Sequence, residues 1–124
     1  MSNELTLNAN LAYSDAEGTE EVLDVVNLIK SVATKIITRQ KVSVPTGTSA
    51  ASIDFGAVPV AGYVIFLNKD PTNYIDLYTD GGQNNARLDP VNGFAFFKAG
   101  ADFQTPTALA NTAACQMEYL VVST

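Results

Sequence analysis

The chain has 124 residues, net charge −6, 47% apolar and 16% charged residues, no histidine, no tryptophan and one cysteine. That composition excludes a disordered chain and gives room for a core without metals or disulfides. The acidic balance argues against a general nucleic-acid binder or a membrane-surface protein, and no run approaches the roughly 18 apolar residues needed to cross a bilayer.

Glu4 to Tyr13 alternates, with Leu5, Leu7, Ala9, Leu11 and Tyr13 on one face, which predicts a half-buried strand. Ser14 to Thr19 predicts a turn, with Gly18 the position suited to positive φ. Glu20 to Lys35 is ambiguous. Val22, Val25, Val26, Ile29 and Val32 fall at helical spacing, but their β-branching favours a strand. The expectation is a strand at about 20–26 paired back on the first, followed by an irregular or helical turn.

Lys35 to Val44 predicts a strand, and Ala51 to Phe55 a short one ending at Gly56. Ala57 to Thr79 reads as the central hairpin. Gly62 to Leu67 is an apolar run of strand length, suited to burial on both faces. Asn68 to Asn73 supplies a turn, and Tyr74 to Tyr78 alternates. Asp80 to Asn85 is a polar loop, Ala86 to Leu88 a short strand, and Phe94 to Lys98 an aromatic strand. Thr105-Pro106 belongs to a connection. Ala114 to Val122 closes the chain, with Cys115, Met117, Tyr119 and Val121 on one face. Eight or nine short strands separated by turn residues predict an all-β fold, an antiparallel β-sandwich of jelly-roll-like type, as one domain over residues 1–124.

Charge is laid out unevenly. Residues 1–28 hold Glu4, Asp15, Glu17, Glu20, Glu21 and Asp24 with no base, and residues 30–41 hold Lys30, Lys35, Arg39 and Lys41 with no acid. One reading has two adjacent strands pairing opposite charges on their solvent faces. The other has acidic and basic edges matching between neighbouring copies.

Chemistry-bearing patterns are sparse. Without histidine, serine triads and most zinc sites are excluded. A lone cysteine without a histidine partner is a poor nucleophile, and Cys115 reads as a small buried hydrophobe. Asp70, Asp76 and Asp80 could in principle supply a carboxylate pair, but read as solvated strand-end aspartates. The Asp80 to Asn85 loop offers oxygen ligands for calcium but lacks closely spaced acids, so it reads as a plain loop. No enzyme activity, cofactor or metal is expected. Tyr74, Asp76 and Tyr78 form the best polar-aromatic trio for contact with a ligand or neighbour.

Three segments carry a family resemblance. They are Pro59-Val-Ala-Gly-Tyr-Val-Ile-Phe-Leu-Asn-Lys-Asp-Pro-Thr-Asn-Tyr-Ile75, the later Arg87-Leu88 with Phe94-Ala-Phe-Phe97, and the closing Ala108-Leu-Ala-Asn-Thr-Ala-Ala-Cys-Gln-Met-Glu-Tyr-Leu-Val121. Together they resemble a family of small virion proteins of tailed bacteriophages. Pro71 stands where a small residue is more usual there, and Cys115 where an aliphatic is. The resemblance carries no catalytic residues. It implies a capsid decoration or minor capsid component, made in the host cytoplasm and located in the virion. Its partners would be other virion proteins, such as major capsid or tail proteins, and its own copies in a homo-oligomer. Nucleic acid and membrane are not expected partners. The contact residues expected are Lys30, Lys35, Arg39 and Lys41 with Tyr74, Asp76 and Tyr78. The alternative is a tail or fibre subunit acting as a carbohydrate- or receptor-binding module.

Overall fold

A computed structural model describes residues 4–31, 37–56, 58, 60–78, 83–100 and 103–123. The chain divides into two compact units, Met1–Thr34 and Lys35–Thr124. The sandwich belongs to the second unit, where the sequence pattern suggested one domain throughout.

The first unit is a long antiparallel hairpin of β1 (Glu4–Ser14) and β2 (Glu20–Ser31). The dense β-branched residues of 20–31 adopt one continuous strand, longer than expected, because it pairs with β1 on both sides of a single register shift. Leu11 lies opposite Leu23, and Tyr13 opposite Glu21. Between the Leu7–Leu28 and Ala9–Val25 pairs the register shifts, so two residues of β2 face one of β1, which is a β-bulge. At the tip, the Asp15 carboxylate accepts the backbone N–H groups of Glu17 at 3.0 Å and Thr19 at 2.8 Å. Gly18 has φ of +86°, as its place in the turn demands.

Among the described residues the second unit holds eight strands: β3 (Ile37–Val44), β4 (Ala51–Ser52), β5 (Ala61–Asn68), β6 (Ile75–Tyr78), β7 (Asn84–Leu88), β8 (Phe94–Lys98), β9 (Thr107–Ala110) and β10 (Cys115–Ser123). They form two four-stranded sheets, ordered β3-β10-β5-β8 and β4-β9-β6-β7, with every ladder antiparallel. First pairs with last: β3 with β10, β4 with β9, β5 with β8, β6 with β7. The chain is therefore a doubled ribbon whose successive stretches fall alternately in the two sheets.

Alternation along each strand fills the space between the sheets. Val64 and Phe66 of β5 join Met117, Tyr119 and Val121 of β10 from one side, and Ile75, Leu77, Leu88, Ala108 and Ala110 from the other. Cys115 is buried at the end of this layer, as its position in the closing strand suggests. Phe66 is enclosed by rings, with centroids of Phe103 at 6.0 Å, Tyr119 at 6.1 Å and Phe97 at 6.4 Å.

Two expectations are corrected here. The β5–β6 segment is not a hairpin, since β5 pairs with β10 and β8 while β6 pairs with β7 and β9. Six residues of turn, stiffened by Pro71, are too many for a tight two-residue hairpin and carry the chain from one sheet to the other. The run is also not buried on both faces: Val64 and Phe66 are buried, while Tyr63, Ile65 and Leu67 are half-buried on the outer side. Strand β9 lies beyond the connection expected at Thr105-Pro106, in a stretch where no element was expected.

The turn before β8 carries local strain. Val91 and Asn92 have φ of 61° and 65°, and a β-branched residue is disfavoured there. Val91 is 69% exposed, so its side chain gains little from burial. Val91→Asn is expected to raise stability by about 1 kcal/mol, read from chemical denaturation midpoints, because asparagine tolerates this conformation.

Candidate interaction surfaces

Asn68 to Tyr74, which joins β5 to β6, forms a polar knot at one end of the sandwich. Period-two alternation turns Asn68 inward after Val64 and Phe66, and it is fully buried. Its amide nitrogen lies 2.8 Å from the carbonyl oxygen of Asn73, 3.0 Å from that of Leu88 and 3.2 Å from that of Asp89. Its side-chain oxygen accepts the N–H of Asp70 at 2.9 Å. One residue thus joins both turns at this end.

Asp70 orders the rest of the turn. Its Oδ1 accepts the N–H groups of Thr72 at 2.8 Å and Asn73 at 2.7 Å, and these bonds hold its carboxyl below the ordinary carboxylate value. The contribution of these bonds is full above the ordinary carboxylate range and fades as pH falls through the lowered folded value. Acidification is expected to lower the protection of the Thr72 and Asn73 amide protons, relative to unstructured amides at the same pH, across that low-pH window in wild type. Asp70→Asn should flatten that dependence, measured by NMR hydrogen exchange. An unchanged pH profile in the variant would refute the assignment.

Tyr74 directly precedes β6, and β6 carries Asp76 and Tyr78 of the expected trio on the outer side of the β4-β9-β6-β7 sheet. Asp76 is only 9% exposed, so it is not the solvated aspartate that the sequence suggested. Arg87, its cross-strand neighbour on β7, grips it through Nε–Oδ1 at 2.8 Å and Nη2–Oδ2 at 3.1 Å. The Arg87 guanidinium also sits 3.7 Å from the centre of the Tyr74 ring. The bond to Asp76 raises the Arg87 pKa further above its ordinary value. Tyr78 lies two residues along, opposite Thr107 of β9. Arg87 is the participant that sequence spacing did not bring to the trio. Tyr74 is thus already stacked by a cation and Asp76 already paired, an arrangement that leaves less of this face for a sugar.

The basic residues are divided between the two units. Lys30 stands in β2 of the hairpin, while Arg39 and Lys41 stand in β3 of the sandwich, and Lys35 lies outside the described residues. The acidic and basic stretches are not adjacent strands, since β2 pairs with β1 and β3 with β10. Lys41 is exposed and pairs with Glu118 in register.

The outer side of the β3-β10-β5-β8 sheet is apolar. Tyr63, Ile65 and Leu67 of β5 stand beside Phe94 and Phe96 of β8 and Leu120 of β10. Phe94 is 63% exposed, and Tyr63 stacks on Phe96 with ring centres 6.0 Å apart. Lys98 continues the row, its ammonium 5.0 Å from the Tyr63 ring centre.

Residues of potential reactivity are held in structural roles. Burial pushes the Cys115 thiol up, with Asp70 adding to the shift, so the thiolate is disfavoured at neutral pH. Burial likewise raises the Tyr119 phenol, whose hydroxyl bonds Gln40 and the carbonyl of Asp54. Among the described residues no cluster of three histidine, cysteine or acidic side chains could hold a metal. Asp80, named for a carboxylate pair and for a calcium loop, lies outside them.

Comparison of the chain with protein-family models, curated proteins and solved structures finds no match.

Proposed function

We propose that the chain is a non-enzymatic structural subunit of a tailed-bacteriophage particle. It acts as a capsid decoration or minor capsid component that binds the head lattice or its own copies. The observation that carries this reading is the strand order of the second unit, β3-β10-β5-β8 over β4-β9-β6-β7. That order suits a jelly roll, an architecture used in viral capsid and lectin domains. Fold alone does not assign function. The resemblance of the Pro59–Ile75, Arg87–Phe97 and Ala108–Val121 segments to small virion proteins selects the capsid side of that choice.

The surfaces agree with a contact role. The knot around Asn68 and Asp70 makes one end of the sandwich rigid, and the apolar outer face supplies area to bury against a neighbour. The mechanism is association through apolar area and edge strands, with charged residues setting register. Purified chain added to shells assembled without it is expected to co-sediment at a saturating, fixed ratio. Failure to sediment with any shell overturns the proposal.

A further inference from the structure

The hairpin and the outer face of the β3-β10-β5-β8 sheet are complementary in two respects. A two-stranded hairpin is marginal in water unless a third element covers its apolar face. Here that face holds Leu11 opposite Leu23, 68% and 67% exposed, with Tyr13 beside them. The outer sheet face offers Ile65, Leu67, Phe94, Phe96 and Leu120 as a matching apolar surface. Charge supplies the second respect. Residues 1–34 hold six acids and one base, so the hairpin unit carries −5 of the chain's −6. The strands bordering the apolar sheet face carry Arg39, Lys41 and Lys98, against Glu118.

We propose that the β1–β2 hairpin of one copy docks on the outer face of the β3-β10-β5-β8 sheet of a second copy. The inference rests on the reading of the chain as an assembling subunit. Two hairpins meeting each other would bring two charges of −5 together, which disfavours that pairing. Hairpin on sheet instead places Glu21, which shares the Leu11–Leu23 face, near the lysine-bearing strands, with leucines and phenylalanines between. The contact is heterologous: it closes as a reciprocal pair or a ring, or else continues as an open chain.

Cysteine pairing in the full chain tests this, with buried Cys115 left in place. A mixture of Leu23→Cys and Phe96→Cys copies is expected to give an intermolecular disulfide, with neither variant bridging to itself. Reversal of Lys41 and Lys98 to glutamate should weaken self-association about tenfold or more by sedimentation equilibrium. Adding Glu21→Lys, on the docking face, should restore it in part. Bridging of Leu23→Cys with itself overturns the proposal, as does an intrachain bridge in the double-cysteine chain. A chain that stays monomeric at high concentration yet still sediments with shells overturns this docking and leaves the virion reading standing.

Discussion

Phe66→Ala is expected to remove about 3–5 kcal/mol of stability, measured by urea unfolding followed by fluorescence and circular dichroism. Phe66 is fully buried in the middle of β5, and three aromatic rings lie within 6.4 Å of it. Truncation loses the transfer energy of the ring and leaves a cavity that Phe97, Phe103 and Tyr119 cannot all collapse into. Edge-to-face pairs add roughly 0.5–1.5 kcal/mol each beyond burial, so more than one such contribution goes with the ring. A domain of this size has about 5–15 kcal/mol in total, so the variant should sit near the edge of folding at 37 °C. Phe66→Leu keeps most of the volume and should cost clearly less. Equal losses for the two variants would argue that the ring contacts contribute little.

Asn68→Ala is expected to cost about 2–4 kcal/mol, although it deletes only a small side chain. Three backbone carbonyls and the Asp70 N–H take their bonds from this one amide. Leaving buried backbone groups unpaired costs roughly 1–3 kcal/mol each, reduced where a turn can admit water. Asn68→Asp should be no better, because it points carboxylate oxygens at carbonyl oxygens. Asn73→Ala, whose side chain is only half-buried, is the milder control. A loss below about 0.5 kcal/mol for Asn68→Ala would show that the two turns hold without the knot.

Both residues show what could be read from the chain and what could not. The alternation through Cys115, Met117, Tyr119 and Val121 gave the inner face of β10 correctly, and the turn at Gly18 followed from its residues. The all-β antiparallel class followed from many short strands between turn residues. Asn68 falls among turn residues, yet the period-two step from Val64 and Phe66 already places it inward. Strand partners were not available, because periodicity reports which face a residue occupies and not which strand lies beside it. Thus the β5–β6 segment passed for a hairpin, and the acidic and basic stretches for neighbours. Strand β9 leaves little mark in the sequence because Thr107-Ala-Leu-Ala110 is short and alanine-rich, with little intrinsic preference for a strand. Arg87 could be joined to Tyr74 and Asp76 only once the β6–β7 register was known.

The same division applies to function. Missing histidine argued against much enzyme chemistry at once, whereas contact surfaces depend on which faces the sheets leave open. The outer apolar face of the β3-β10-β5-β8 sheet emerges only when Ile65, Phe96 and Leu120 fall side by side.

The central claim is that this chain is a building piece of a particle. Cryo-electron microscopy of gradient-purified particles produced with and without the chain tests it most directly. The account predicts difference density of sandwich size at regular positions on the particle, recovered when the chain is restored. Identical particles in both preparations, with the chain found only free in the lysate, would contradict it.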